Sequence, residues 1–402
     1  MTFGGRAPAL LFAALAGVVT FAQGPEAPAL QGKSTLVYIG THTDKGKGIY
    51  MFRLQSAGTD VFQNVTLVPL GVAAETPNPT FFEIDPKRRL LFSVNQVEQF
   101  EGKPGGSVAA YAIDGMGKLT LINQRPSMGL RPCQLSVAAD GKYLLVVNCA
   151  DGTLAVVPVA SDGQLGAATD VVKGTRATSV ASDPAGRFVF LSEPSGDRLL
   201  AYQLDAATGK LRPREPAATP LKAGAAPRQI AFRSDALFAY VLNEKDSTVT
   251  AFSYDAATGA LKEIQSVRTL PEYFDGPNIA LDLRVLNSGK FLYVSNHGHD
   301  SIVLFNVDKE KGTLTFVEEQ GTGGRHPREF GVQPSGGHMA ISLPETNQVL
   351  ASRIDDGNGR LKPSGVFAEV PSPATIRFLP PVESTDTAKP AQGYTPANPA
   401  NQ

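Results

Sequence analysis

The sequence predicts an all-β protein, a seven-bladed β-propeller whose ring is closed by a C-terminal strand that completes the first blade. Three observations predict this fold: a turn motif that recurs along the chain, a succession of short strand signals in every repeat, and an innermost strand that is absent from the first repeat but follows the last one. The 402 residues include 40 glycines and 30 prolines, a turn-rich composition that argues against a helical bundle.

The recurring turn motif has the form Gly-x-Leu. Its six glycines are Gly117, Gly163, Gly209, Gly259, Gly312 and Gly359. Successive glycines lie 46 to 53 residues apart, a period that is typical of propeller blades and too long for most helical repeats.

Each repeat contains short apolar and β-branched runs separated by Gly, Pro and Asp turns. Blade four shows them at residues 187–191 and 198–204, and runs of this length between such turns are strands. The first repeat starts at residues 36–40, which match a second strand, whereas residues 373–379 resemble an innermost strand. Residues 35–380 are therefore predicted to form one propeller that is closed by its C-terminus, which removes exposed sheet edges.

The two ends of the chain differ from the repeats. Arg6 precedes the apolar run 8–21, so residues 1–22 are predicted to be a signal peptide, the alternative being an N-terminal anchor. Residues 23–34 are expected to be a linker, and the Pro/Ala/Thr-rich segment 381–402 a disordered tail. Export would place the mature protein in the periplasm or outside the cell, without a membrane partner once the signal is removed.

Charge offers no global target for a partner. The 37 basic and 38 acidic residues nearly cancel, so neither nucleic acid nor an anionic membrane surface is expected to bind. The motifs of α/β-hydrolases, P-loop nucleotidases and Rossmann dehydrogenases are absent from the sequence. The function is thus expected at a local site, and the sequence predicts no oligomeric state.

In a propeller, the start of each innermost strand and the end of the second strand meet at the same mouth of the channel. Arg228 and Glu244 are equidistant from a turn near Ala236, so they are expected to face each other there. A guanidinium can bind a carboxylate or polarise a carbonyl, and a carboxylate can act as a base. The alternative is an exposed salt bridge without a catalytic role.

The same offsets in blade three are occupied by Cys133 and Cys149. In an exported protein these two residues are predicted to form a cross-strand disulfide. The alternatives are two free thiols packed as small apolar groups, or a pair one residue out of register.

Three further rim positions are of interest. His297 follows the second strand of blade six, at the position equivalent to Glu244. Arg328 lies in a Pro-Arg step that repeats the one at Arg228, and two arginines near one opening indicate a site for an anion or carboxylate. The five histidines are scattered without zinc-binding spacing, so no metal and no cofactor are expected.

These segments resemble a known family. Residues 37–41, 76–79, 132–137, 227–228 with 241–244, and 291–302 are similar to those of the seven-bladed lactonase family, which includes bacterial 6-phosphogluconolactonases and fungal carboxy-cis,cis-muconate lactonising enzymes. The resemblance spans about residues 35 to 380 in order. It implies a β-propeller fold and lactone chemistry.

The resemblance also implies a site. The family combines a His that opens blade four, an Arg and a Glu of blade five, and an Arg of blade six; here Arg228 and Glu244 match, whereas Thr178 stands in place of the His and His297 in place of the second Arg. It therefore implies Glu244, Arg228 and His297 as catalytic residues. The residues implied to bind substrate are Arg328, Gln229 and Thr178.

The leading hypothesis from the sequence is an exported lactonase-like hydrolase that opens a small, sugar-type lactone, with a small-molecule lactone or carboxylate as its partner. Arg228 would bind the carboxylate or polarise the carbonyl, Glu244 would position or activate water, and His297 would take the role of the missing His. Two alternatives remain open: a non-catalytic propeller that binds a ligand or protein at the channel mouth, and a muconate-type lactonising enzyme.

Overall fold

The computed structural model describes residues 33–57, 64–138 and 141–380. The signal peptide and the disordered tail predicted above lie outside these residues, as does most of the predicted linker. Strand β1 (Lys33–Thr41) begins inside the segment that was expected to be a linker. Its first residues extend the blade because Ser34 pairs with Gln55 of the next strand.

The described residues form seven four-stranded antiparallel sheets, and these are the seven predicted blades. Blade one begins with β1, β2 (Gly48–Ala57) and β3 (Asn64–Glu75). Blade two comprises β4 (Phe81–Asp85), β5 (Leu90–Asn95), a small extra hairpin of β6 (Gln99–Phe100) and β7 (Lys103–Pro104), then β8 (Ser107–Ile113) and β9 (Leu119–Pro126). Blade three comprises β10 (Pro132–Ala138), β11 (Tyr143–Asn148), β12 (Thr153–Pro158) and β13 (Asp170–Val172).

The remaining blades repeat this order. Blade four comprises β14 (Ser179–Ser182), β15 (Phe188–Glu193), β16 (Arg198–Asp205) and β17 (Lys210–Pro220). Blade five comprises β18 (Pro227–Phe232), β19 (Phe238–Asn243), β20 (Thr248–Asp255) and β21 (Ala260–Arg268). Blade six comprises β22 (Ala280–Val285), β23 (Phe291–Asn296), β24 (Ser301–Val307) and β25 (Leu314–Gly321). Blade seven comprises β26 (Phe330–Val332), β27 (His338–Leu343), β28 (Gln348–Ile354) and β29 (Leu361–Glu369).

The last strand, β30 (Pro373–Leu379), closes the ring. It pairs antiparallel with β1, with Ile376 opposite Ile39, and so becomes the innermost strand of blade one. The predicted closure by the C-terminus is confirmed. Outside the strands, the described residues contain two single-turn 3₁₀ helices, Pro194–Gly196 and Pro344–Thr346, and no helix among them is long and apolar enough to cross a membrane.

The core of the propeller lies between its blades. The second strands of blades two to seven are buried along their whole length, because each is covered on both faces by neighbouring blades. The buried apolar side chains of the described residues fall into seven clusters, one at each interface between blades. The outermost strand β21, in contrast, is mostly exposed.

The Gly-x-Leu repeat joins each blade to the one before it. Gly312 of blade six has φ +69°, and a Cβ there would lie 2.1 Å from the ring of Phe238 in blade five. Its carbonyl accepts a hydrogen bond of 3.1 Å from the buried Tyr240 hydroxyl. Tyr293 makes the same bond to Gly359 in the next blade. Glycine is therefore required for both its backbone conformation and its missing side chain.

Candidate active site

The innermost strands run along a central channel, and their first residues surround one of its openings, here called the upper mouth. A cavity of about 210 Å³ lies there. It is lined by residues from six blades: Thr80, Phe81, Cys133, Gln134, Cys149, Thr178, Ser179, Arg228, Gln229, Leu281, Asp282, Arg328 and Glu329. The lining thus includes four residues predicted from the sequence, which lie at or just before the start of an innermost strand: Thr178, Arg228, Gln229 and Arg328.

The ion pair predicted in blade five is present at this mouth. Arg228 donates from Nη1 to Oε2 of Glu244 at 2.6 Å and from Nε to the carbonyl oxygen of Leu281 at 2.8 Å. Both side chains are about one-third exposed, at 32% and 31%, so the pair adds well under about 1 kcal/mol to stability. Arg228 lines the cavity, and both side chains remain accessible to solvent.

Arg228 and Glu244 meet through a β-bulge rather than as direct partners. Pro227 pairs with Asn243 and Gln229 with Leu242, so Arg228 is the additional residue. The two residues were expected to be direct partners in the strand ladder, and the observed pairing is shifted by one residue. A bulge at this point swings the side chain towards the mouth, as bulges near active sites commonly do.

Blade three has the same bulge, at Cys133, and there the structure contains a disulfide to Cys149 with a Cα–Cα distance of 5.9 Å. The sulfur of Cys133 lies 3.6 Å from the carbonyl oxygen of Thr178. The disulfide therefore forms part of the cavity wall and contacts Thr178 of blade four. The two cysteines are one residue out of direct register, like Arg228 and Glu244.

Thr178 and Gln229 both line the cavity, but they differ in their hydrogen bonding. The Thr178 hydroxyl is buried and has no hydrogen-bond partner among the described residues. Gln229, by contrast, is tied to the next blade: its amide donates to the carbonyl of Leu283 at 3.2 Å and accepts from the same residue's N–H at 3.1 Å. Its main visible role is to clamp blades five and six together, although it was expected to bind substrate.

His297 occupies the backbone position that was expected. Its N–H donates to Ile279 at 2.9 Å, just as that of Glu244 donates to Ala226 at 2.9 Å. The imidazole, however, stacks on His326 with 4.3 Å between ring centroids and is not part of the cavity lining. Burial and the neighbouring His326 lower its pKa. His297 is therefore outside the cavity lining, although the charge of Arg328 also contributes to its lowered pKa.

Arg328 is the second arginine of the upper mouth. It lines the cavity, and within the described part of the chain no carboxylate lies within ion-pair distance of it. Its Nη1 lies 3.2 Å from Nε2 of His42. Burial and the nearby Arg228 lower the pKa of Arg328, whereas Glu329 acts in the opposite direction.

A buried charge network is centred on Glu329, which lines the cavity. Glu329, 9% exposed, accepts hydrogen bonds at Oε1 from Arg284 at 2.9 Å, from Thr375 at 3.1 Å and from Arg377. Arg377 also donates to Glu83 at 2.9 Å. These residues come from blades six, seven, one and two, so the network links the blades around the ring closure. Burial raises the pKa of Glu329 despite the two arginines.

The channel also has a larger cavity, of about 570 Å³, at its opposite end. It is lined mostly by the ends of the innermost strands and by turns of blades one, two, six and seven, and its deep charged residues Glu83, Arg284 and Arg377 are already paired with one another or with Glu329. The predicted residues Thr178, Arg228, Gln229 and Arg328 line the smaller cavity, at the upper mouth. Among the described residues, no group of three His, Cys, Asp or Glu side chains could hold a metal ion.

A family model described as "Lactonase, 7-bladed beta-propeller" matches residues 36–378, almost the entire propeller. The chain belongs to this lactonase family. The match confirms the family that the sequence motifs resemble and the seven-bladed fold. The enzyme class is that of a 6-phosphogluconolactonase-like lactonase.

The relatives of this lactonase agree. A 6-phosphogluconolactonase from Bacillus subtilis is 32% identical over 355 residues, 85% of this chain and 97% of the relative. One from Pectobacterium carotovorum is 30% identical and covers 69% of this chain and 83% of its own. Among solved structures, a periplasmic gluconolactonase from Pseudomonas aeruginosa is 30% identical, with a TM-score of 0.77 over 86% of this chain and 99% of its own.

Sequence reasoning left three residues of this lactonase out of the site: His42, Asp282 and Glu329. Glu329 directly follows Arg328 in the Pro-Arg step, and His42 directly follows β1, at the position that Glu244 has after β19. These positions in the repeat were available signals. What the repeat does not give is the direction of each side chain, which decides the contact between His42 and Arg328.

Proposed function

We propose that this lactonase is exported and hydrolyses a small sugar-type lactone at the upper mouth of the channel. The observation that carries the proposal is the Arg228–Glu244 pair, 2.6 Å apart, at the edge of a cavity that also contains the unpaired Arg328. The mature protein would act in the periplasm or outside the cell. The solved structure of a periplasmic gluconolactonase with the same fold supports this location.

The chemistry follows from the two side chains. The Arg228 guanidinium would polarise the lactone carbonyl and stabilise the negative charge that develops on its oxygen. The Oε1 atom of Glu244 is not used in the bond to Arg228, so it can accept a proton from water as that water attacks the carbonyl carbon. The bond from the carbonyl carbon to the ring oxygen then breaks, and the proton passes to that oxygen. One lactone and one water yield one hydroxycarboxylic acid.

The cavity also favours a polyhydroxylated substrate. Its lining includes the hydroxyls of Thr80 and Thr178, both without a hydrogen-bond partner in the described residues. Buried polar groups are normally satisfied, so hydroxyl groups of a sugar lactone, or water in their place, would complete these contacts. Arg328 would bind a carboxylate or carbonyl oxygen of the ligand.

The test is hydrolysis of D-glucono-δ-lactone by the mature protein and by Glu244→Gln. We expect the substitution to lower kcat by at least about 100-fold, because it removes the base. Equal rates for the two proteins, or no turnover of phosphorylated or unphosphorylated sugar lactones, would contradict the proposal. Localisation is checked separately by fractionating cells and determining the N-terminus of the mature chain.

One observation favours a non-catalytic binder instead: among the described residues no His lines the upper cavity, and Thr178 stands at the position where the resemblance implies a His. A thermal-shift screen distinguishes the two functions. Ligand-induced stabilisation that is lost in Arg228→Ala, without any turnover, would favour the binder. Cyclisation of a muconate-type diacid would instead favour the lactonising reaction.

A further inference from the structure

The arginines around the channel differ in how their charges are compensated. Arg228 pairs with Glu244, Arg284 with Asp282 and Glu329, and Arg377 with Glu83 and Glu329. In the described residues, Arg328 has no such carboxylate. A partly buried guanidinium without a counter-ion is unfavourable unless a ligand supplies the negative charge, so Arg328 is the channel arginine that is available to an anion.

His42 is the side chain that fixes the position of Arg328. It lies in the loop that follows β1, where its N–H donates to Ser372 at 3.1 Å and its carbonyl accepts from Gly46 at 2.9 Å. Its Nε2 lies 3.2 Å from Nη1 of Arg328. A guanidinium only donates hydrogen bonds, so Nε2 is the acceptor and the imidazole carries its proton on Nδ1. The imidazole in this contact is therefore neutral.

We propose that Arg328 and His42 form a subsite for a carboxylate anion, in which the neutral imidazole orients the guanidinium without cancelling its charge. A carboxylate at the position of His42 would instead form an ion pair, as Glu244 does with Arg228. The proposal deepens and rests on the proposed function, because the carboxylate is the group that lactone opening creates. Arg328 would hold the ring-opened product, a hydroxycarboxylate, beside the Arg228–Glu244 pair.

This arrangement couples anion binding to a proton. Burial and the charge of Arg328 lower the pKa of His42, whereas Asp44 acts in the opposite direction. Arg228 and Glu329 also act on Arg328, and the charge of Arg328 contributes to the lowered pKa of His297. An anion that neutralises Arg328 removes one cause of the lowering. Once the anion accepts from Arg328 in place of His42, the imidazole is free to bind a proton and donate to the same carboxylate. The pKa of His42 therefore rises on binding, and carboxylate affinity increases as the pH falls below about 6.5.

The test is calorimetric titration of the intact mature protein with sodium D-gluconate, which stays ionised between about pH 5 and about pH 8. Wild type should bind more tightly at the lower pH. Arg328→Gln should lose at least about tenfold in affinity, the usual effect of removing a charge-assisted hydrogen bond. His42→Ala should bind several-fold more weakly than wild type. His42→Gln, which keeps an acceptor, should bind like wild type at about pH 8 but with a smaller pH dependence than wild type, because the charge of Arg328 still acts on His297.

The matched control is His299→Gln. His299 belongs to the next rim loop of blade six, where its Nδ1 lies 2.8 Å from the Ser301 hydroxyl, and it should retain both the affinity and the pH dependence. Circular dichroism and melting curves confirm that each variant is folded, and Arg328→Lys provides a second variant that keeps the charge but loses the planar donor pair, for which intermediate affinity is expected.

Any of three results would overturn the subsite. The first is no gluconate binding by wild type up to about 50 mM, which would mean a binding free energy weaker than about 2 kcal/mol. The others are wild-type affinity in Arg328→Gln and the same pH dependence in His42→Gln as in wild type. The proposed function fails separately. Gluconate binding with the expected pattern but no lactone hydrolysis would leave the subsite and remove the hydrolase, whereas hydrolysis with unchanged product binding by Arg328→Gln would do the reverse.

Discussion

Arg228 and Glu244 are joined by a hydrogen bond of 2.6 Å although they are not paired in the strand ladder. The bulge at Arg228 turns its side chain so that one guanidinium reaches Glu244 and the carbonyl of Leu281 at the same time. These two hydrogen bonds require two N–H donors at fixed angles on one side chain, which arginine has and lysine lacks.

We therefore expect Arg228→Lys to lower kcat/KM for lactone hydrolysis by at least about tenfold, because an ammonium group cannot hold Glu244 and Leu281 together and also polarise the carbonyl. The free energy of unfolding should change by less than about 1 kcal/mol, since the pair is partly exposed. Steady-state kinetics and urea unfolding measure the two effects. Arg360→Lys, at the exposed Arg360–Glu318 pair on a distant edge, is the control and should leave both unchanged; equal kinetics for the two variants would contradict a role of Arg228.

The disulfide between Cys133 and Cys149 is expected to stabilise the native protein. It closes a loop with a sequence separation of 16, for which the entropy of the unfolded chain gives a contribution of about 2 to 3 kcal/mol. Dithiothreitol should lower the free energy of unfolding, measured by urea titration, by that amount. Because the sequence has two cysteines, the double variant Cys133→Ser/Cys149→Ser should match the reduced protein and be insensitive to the reductant; a reductant effect in that variant would refute the explanation.

The repeat made most of the fold predictable. The Gly-x-Leu turns recur once per blade because each turn packs on the preceding blade, as Gly312 packs on Phe238. The innermost strand that is missing from the first repeat predicts the pairing of β30 with β1. Both are properties of a single blade and its neighbour, so they are encoded locally.

The site was predictable only where its residues share a hairpin. Arg228 with Glu244, and Cys133 with Cys149, are set by their distance from one turn. The contact between His42 and Arg328 joins residues 286 positions apart, and the hydrogen bonds to Glu329 come from two other blades. Such contacts depend on side-chain direction around the closed ring, which no spacing in the sequence encodes.

Gly312→Ala is expected to destabilise the interface between blades five and six. The substitution places a side chain at φ +69° and brings its Cβ to 2.1 Å from the Phe238 ring. The left-handed conformation lowers the free energy of unfolding by about 1 to 2 kcal/mol. Overpacking against the ring lowers it by a further amount of about 1 to 3 kcal/mol. The control is Gly174→Ala, which has φ +73° but no heavy atom within 4 Å. Urea unfolding should show a larger loss for Gly312→Ala, and equal losses would mean that the contact with Phe238 is unimportant.

His338 is expected to make the stability of the protein depend on pH below neutrality. It is 7% exposed, its Nδ1 lies 2.8 Å from Oε1 of Gln333, and burial, followed by the charge of Arg353, lowers its pKa. The unfolded chain binds a proton near about pH 6.5, whereas the folded protein does so only at lower pH. The free energy of unfolding therefore decreases as the pH falls below about 6.5, until His338 is protonated in the folded state as well. His42 and His297, whose pKa values are also lowered, act in the same direction.

In His338→Gln this contribution is absent. Thermal unfolding between about pH 7 and about pH 5 should thus show a smaller loss of stability on acidification than in wild type, even if the variant is less stable at neutral pH because it loses the contact to Gln333. His299→Gln serves as the control, since its imidazole lies in a partly exposed loop, and it should follow the wild-type pH profile. An identical profile for His338→Gln and wild type would show that His338 is already protonated in the folded protein or that its pKa is the same in both states.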